Sequence, residues 1–183
     1  MTPKLGAEVA SLIDGNVRLV PGFPSPGVLF RDITPLFANG TDFAKLIHLL
    51  AERYRGKIDM VAGLESRGFI LAAPLAAELG IGMIAVRKAG KLPGPVIGID
   101  YSLEYGNARL EVQPESVPSG SNVLVLDDVL ATGGTALACV ELLKQCGANV
   151  VEVAVLMELI DLHGAKRLTS VPFVTGVQVK EDQ

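Results

Sequence analysis

Between Val123 and Ala136 the chain reads V-L-V-L-D-D-V-L-A-T-G-G-T-A, and few folds can accommodate that order of residues. Four consecutive apolar residues, Val123-Leu124-Val125-Leu126, suit a strand buried on both faces, as in a parallel sheet covered by helices on either side. Asp127 and Asp128 follow at the carboxyl end, where open α/β sheets place their ligands. The small residues Ala131-Thr132-Gly133-Gly134-Thr135 then lead into a helical pattern. They leave backbone N–H groups uncovered at a helix N-terminus, a cradle for phosphate. Two acids beside an anion cradle would repel its occupant. The conflict disappears for a phosphorylated sugar, whose hydroxyls donate to the carboxylates while the amides wrap the phosphate. An αβ turn whose acids merely cap the helix would need one carboxylate, not two plus a cradle.

The rest of the chain alternates in a compatible way. K-L-G-A-E-V-A-S-L-I-D-G reads as a short amphipathic helix stopped by Gly15. Val20 to Gly27 carries too many prolines and glycines for a helix or a central strand, and delivers Val28 to Ile33 as a structured loop would. Thr41 or Asp42 could cap a helix whose apolar face holds Phe43, Leu46, Ile47, Leu50, Ala51 and Tyr54. Ile58–Gly63 and Ile81–Val86 read as strands flanking a helix that runs to about Leu79. From Arg87 to about Gly106 no element fits, and a loop of that length in a compact domain points to function. Ala108–Val112 suggests a short strand that could run antiparallel. A helix ends before Gly147, and Val150–Met157 is another strand with a short tail behind it. Strands alternating with helices predict an α/β fold with a mainly parallel sheet flanked by helices. The expected layout is one domain over 1–183: a small hood in residues 1–35, an α/β core in 36–183, and a lid in 87–106.

At 183 residues, 49% hydrophobic and 20% charged, the chain has an ordinary globular balance and enough length for a proper core. No apolar run approaches the roughly 18 residues of a membrane span. The opening M-T-P-K-L-G-A-E-V carries Glu8 and no long apolar stretch, so it makes a poor signal peptide. Cys139 and Cys146 lie seven apart in a helical pattern, which suits a buried helix face better than a disulfide or a metal site. A cytoplasmic location is the expectation. The net charge of −4 argues against a nucleic-acid partner. The one dense basic cluster is Arg87-Lys88-Ala89-Gly90-Lys91.

Common nucleotide motifs fail. A P-loop needs G-x-x-x-x-G-K-[ST], but Gly90-Lys91 has Ala85 before it and Leu92 after it, and Gly56-Lys57 is preceded by Ala51. No G-x-G-x-x-G follows a strand. The D-D-V-L-A-T-G-G-T segment instead resembles the phosphoribosyl pyrophosphate (PRPP) motif of the type I phosphoribosyltransferase family. Ala62-Gly63-Leu64-Glu65-Ser66-Arg67-Gly68 resembles that family's pyrophosphate loop, where a non-proline cis peptide is expected near Glu65-Ser66. F-P-S-P-G-V-L-F-R-D-I-T-P resembles the base-binding hood of the family's adenine-using members. R-K-A-G-K-L-P-G with Y-S-L-E-Y-G resembles their lid, and V-L-M-E-L with V-P-F their C-terminal part. The likeness runs from about residue 20 to 175, with Ile97-Gly98-Ile99 outside any recognised pattern.

The resemblance implies transfer of the 5-phosphoribosyl group from PRPP to adenine, giving AMP and pyrophosphate in purine salvage, by a homodimer with Mg²⁺ held mainly by PRPP and no direct protein ligand to the metal. It implies Ala131, Thr132, Gly133, Gly134 and Thr135 on the 5′-phosphate, with Asp127 and Asp128 on the ribose hydroxyls or ligand-bound metal. Ser66, Arg67, Lys88 and Lys91 would hold pyrophosphate, and Arg87 would reach it across a dimer interface. Glu104 would handle the base's proton. Adenine is neutral, so its pocket needs hydrogen-bond geometry and apolar walls. Backbone around Leu29 and Arg31, with Phe30 and Leu159 as walls, fits that need; Phe30 and Leu159 also fit plain core positions. Two other readings stay open: the same chemistry on hypoxanthine or guanine, and a regulator that binds PRPP without catalysis.

Overall fold

In a computed structural model of the chain, the residues described are 2–102 and 107–180. The frame is a seven-stranded sheet. Its strands are β3 (Met60–Leu64), β4 (Gly82–Lys88), β5 (Ile97–Ser102), β6 (Asn107–Val112), β7 (Asn122–Leu130), β8 (Asn149–Leu159) and β9 (Phe173–Val179), in the spatial order β5-β6-β4-β3-β7-β8-β9. β4, β3, β7, β8 and β9 run parallel, whereas β6 pairs antiparallel with both β4 and β5. A separate antiparallel pair, β1 (Arg18–Pro21) and β2 (Leu29–Asp32), builds the hood.

Helices cover both faces, and β7 shows why its sequence demanded this. Leu124 and Leu126 pack with α3 (Gly40–Tyr54) and α4 (Arg67–Leu79), whereas Val123 and Val125 pack with α5 (Gly134–Gln145); all four side chains are fully buried. Alternate residues of a strand face opposite sides, so an uninterrupted apolar run needs a helical layer on each. α1 (Ala7–Asn16) adds Val9 and Ile13 to the α3–α4 side, and the short α2 (Thr34–Ala38) adds Leu36.

Several elements differ from their sequence reading. Gly15 lies inside α1, which ends at Asn16. Asn39 caps α3, its side-chain oxygen accepting from the Asp42 N–H at 3.3 Å, so the cap stands two residues before the expected Thr41. The tail after β8 supplies a seven-residue edge strand, β9. Part of the expected lid is β5, a sheet strand. There a Cβ on Gly98 would stand 2.8 Å from both the Leu110 carbonyl oxygen and the Arg109 guanidinium, which accounts for the glycine of Ile97-Gly98-Ile99. Cys139 and Cys146 are free thiols, the first buried and the second half-buried.

β7 also outruns its neighbour. β3 pairs with it only as far as Gly63 opposite Leu126, while β8 stays paired through Leu130. Asp127 and Asp128 therefore belong to the strand, and stand where its β3 side has opened into a crevice. Strand order reverses direction at this point, from β3 to β4 on one side and from β7 to β8 on the other. Such a switch point is where open α/β sheets bind ligands.

Candidate active site

The loop after β7 turns into α5 through Gly133, whose φ of 79° is left-handed. A side chain is disfavoured in that conformation, so glycine carries the turn. From Gly134 onward the first-turn amides have no intrahelical acceptors and face outward with the positive end of the helix dipole. A cavity of about 230 Å³ opens here, bounded by Glu65, Lys88, Tyr101 and Asp127 and floored by Ala131 to Thr135. Thr135 Oγ1 lies 3.3 Å from the Tyr101 hydroxyl, so β5 forms one wall. Tyr101 lay within the lid motif, but its place in the site depends on β5 folding back along β6.

The pyrophosphate-loop residues surround the other side. Glu65–Ser66 is a cis peptide, and Ser66 precedes the first residue of α4. A Cβ on Gly68 would stand 2.7 Å from the Leu126 carbonyl oxygen, so α4 starts hard against β7. That approach brings Arg67 to the acids: its Nε pairs with Asp128 Oδ2, and Asp128 is 4% exposed. The Asp128 N–H donates to Asp127 Oδ1 at 2.9 Å. Burial, then the neighbouring Asp128 charge, pushes the Asp127 carboxyl well above the ordinary value. Behind it, burial and the Asp127 charge push the Cys139 thiol up, which leaves it protonated and unreactive.

The basic cluster divides. Lys88 lines the cavity at the start of α5. Arg87 is held against Glu65, whose Oε1 lies 3.4 Å from Nη2, and Arg87 Nη1 donates to the Lys91 carbonyl at 3.2 Å. Burial opposes the charge on Glu65. The Lys88 N–H, donating at 2.7 Å, and the Arg87 guanidinium outweigh it and keep the carboxyl below its usual value. Lys91 is exposed beyond the end of β4 and lines neither cavity of the cleft. Glu104, the expected proton handler, lies outside the described residues.

A second cavity of about 110 Å³ sits under the hood, lined by Val28, Leu29, Phe30, Arg31, Arg67, Val129 and Leu159. All four residues expected around the base meet here. Val129 and Arg67 join them, and Val129 also lines the phosphate cavity, so the two hollows share a wall. Val129 falls on this side because β7 continues past the acids, which its sequence did not announce. Arg67 stacks over the Phe30 ring at 5.6 Å, and Phe23 meets the same ring edge-on at 5.1 Å. Arg31 is 7% exposed and its guanidinium donates to the Lys180 carbonyl at 2.5 Å, just beyond β9. That bond turns the guanidinium toward the end of β9, and apolar surface dominates this cavity.

These features define an amide-lined cradle at a sheet switch point beside a small apolar pocket. The phosphoribosyl transferase domain model matches residues 32–180, and the chain belongs to that family. Within it the chain stands with the adenine phosphoribosyltransferases. It is 50% identical over 168 residues to the adenine phosphoribosyltransferase of Thermobifida fusca, covering 91% of this chain and 96% of the relative. The solved enzyme of Saccharomyces cerevisiae, complexed with an imino-altritol bisphosphate and adenine, superposes with a TM-score of 0.88 at 43% identity over 94% of this chain and 100% of that one. The enzyme of Trypanosoma brucei, in complex with AMP, pyrophosphate and ribose-5-phosphate, gives 0.83 at 30% identity over 93% and 79%.

Proposed function

We propose that this chain transfers the 5-phosphoribosyl group of PRPP to adenine, releasing pyrophosphate and leaving AMP, as a cytoplasmic homodimer in purine salvage. The observation that carries the reading is the pair of hollows sharing Val129, an amide cradle on one side and a small apolar slot on the other. A phosphorylated sugar bridging them would bring its anomeric carbon past Asp127 and Asp128.

The residue roles are those that the family resemblance implies. Ala131 to Thr135 bind the 5′-phosphate through first-turn amides, while Asp127 and Asp128 accept from the ribose hydroxyls. Ser66, Arg67, Lys88 and Lys91 meet the pyrophosphate, with Arg87 reaching it across the dimer interface. As the C1′–O bond breaks through an oxocarbenium-like state, its electron pair leaves with pyrophosphate, and cations placed for that charge lower the barrier. The base nitrogen forms the new bond to C1′, and Glu104 takes the proton it sheds. Leu29, Phe30 and Leu159 hold the flat neutral ring in line for that attack.

Among the described residues no group of three or more His, Cys, Asp or Glu side chains could hold a metal ion, and Asp128 is already committed to Arg67. That donor set fits a Mg²⁺ carried mainly by the oxygens of PRPP, with Glu65 and Asp127 the carboxylates that line the cavity. The ion supplies neutralisation of the pyrophosphate charge.

Steady-state turnover with PRPP, Mg²⁺ and each purine in turn tests the assignment. Adenine should yield AMP; reaction of hypoxanthine or guanine with none of adenine would overturn it. Glu104→Ala should lower kcat by about 10²–10⁴-fold, the ordinary worth of a positioned acid or base, with a far smaller change in PRPP affinity. An unchanged kcat removes Glu104 from proton handling.

A further inference from the structure

We propose that the turn at His163–Gly164 is a rigid backing for the phosphate loop, and that Gly164 is a positioning residue for the 5′-phosphate, acting through Ala131 and Gly133. The proposal rests on the reading of Ala131 to Thr135 as the phosphate site, and deepens it.

The contact is between backbones and it is reciprocal. A Cβ on Gly164 would overlap the Ala131 carbonyl oxygen and stand 2.9 Å from the Gly133 nitrogen, one of the cradle's own amides. A Cβ on Gly133 would stand 2.5 Å from the Gly164 carbonyl oxygen. No flexible side chain lies between the two strips of backbone to absorb an added atom. Gly164 does not have the left-handed φ that would call for glycine by itself. Its neighbour His163 does, at 54°. The lack of a side chain at 164 is therefore needed for the approach, not for the turn.

The backing is fixed on both sides. The His163 N–H donates to the Ile160 carbonyl at 3.2 Å and the Lys166 N–H to the His163 carbonyl at 3.0 Å. Downstream, Leu168 is 3% exposed in the α5-side core; upstream, Leu159 ends β8 and walls the base cavity. One short segment thus starts at the base pocket and ends against the phosphate loop. An added methyl at 164 meets only backbone, and with the turn tied at both ends the displacement is passed to the loop carrying the cradle. Displacing a binding group by about 1 Å can cost on the order of 10²-fold in rate.

The test uses the full chain and two probes, ribose 5-phosphate binding and steady-state turnover. Gly164→Ala should weaken ribose 5-phosphate binding about tenfold or more and raise KM for PRPP likewise, with KM for adenine within about twofold. Gly15→Ala, inside α1 where a Cβ meets nothing within 4 Å, is the control and should leave both unchanged. Wild-type affinity in Gly164→Ala overturns the proposal, as does an equal loss for both substrates. Hydrogen exchange on the wild-type chain decides independently of whether that variant folds. Ribose 5-phosphate should slow exchange in residues 131–137 and 160–168 together, and protection of 131–137 alone is the overturning result. Absence of binding by the wild-type chain would instead remove the phosphate-site reading, and this proposal with it.

Discussion

Asp127 is the residue in which stability and function pull apart. Burial and the charge of Asp128 raise its carboxyl pKa, so between the ordinary carboxylate value and the raised one the folded chain holds a proton that the unfolded chain has lost. Stability contributed this way falls as pH rises through that interval. Asp127→Asn removes the titration and the repulsion together. It should stabilise the free protein at pH 7–8 by about 0.5–2 kcal/mol, the usual gain from relieving a strained functional group, while weakening PRPP binding. Thermal unfolding of the two proteins across pH 5 to 8 measures the first effect. A lower Tm for the variant at pH 8 would show that Asp127 is not held against its own charge.

At the scale of elements, the hood hairpin matters because so little attaches it to the core. β1 and β2 pair only with each other, and the nearly buried Arg31 side chain ties β2 to the end of β9. Arg31→Ala should loosen the wall that carries Leu29 and Phe30, raising KM for adenine about tenfold while KM for PRPP stays near its wild-type value. Equal rises in both constants would mean that the hairpin does not act on the base pocket separately. The sequence disclosed these elements unevenly, for a physical reason. β7 was legible because a run buried on both faces has one solution, and the acid pair with its glycines located the phosphate loop. β5 and β9 were not. I-G-I-D-Y-S and F-V-T-G-V-Q-V each carry a glycine and become strands only through pairing with other segments, β6 and β8. Strand propensity is mostly that of the surface a segment lands on. Val129 and Tyr101 were missed as site residues on the same account, and Gly164 gave no local signal because its constraint comes from a loop thirty residues upstream.

Across the whole molecule, stability leans on charged groups set far from the cleft as well as within it. Near the opposite end of the sheet, Tyr54 is 4% exposed and its hydroxyl donates to Glu152 Oε2 at 2.6 Å, with Arg53 pairing the same carboxylate at 3.3 Å. Tyr54→Phe leaves the shape intact and removes one donor, which should cost about 1 kcal/mol and lower Tm by about 2–4 °C. An unchanged Tm would mean that Arg53 alone satisfies Glu152. Acid should unfold the chain through a different set. The Thr34 hydroxyl and N–H, followed by Arg18, hold the Asp32 carboxyl below its ordinary value, and the Lys88 N–H and Arg87 overcome burial to do the same for Glu65. A depressed carboxylate contributes stability above its unfolded pKa and loses it as pH falls through the folded one. Unfolding midpoints should therefore drop steeply below about pH 4, near the ordinary carboxylate range, and Glu65→Gln should flatten that fall.

The ion pairs lining the cleft also bear on which anions can compete there. Arg67 is matched by Asp128 and Arg87 by Glu65, so the guanidiniums meet their counter-ions before any ligand arrives. A free phosphate or sulfate would have to displace a carboxylate for each arginine it engaged, with no hydroxyl to offer the carboxylate in return. A sugar carrying both phosphates and hydroxyls can satisfy both partners of a separated pair. Inorganic anions should therefore compete weakly for these two arginines, and a ligand carrying both phosphates and hydroxyls should be favoured over them.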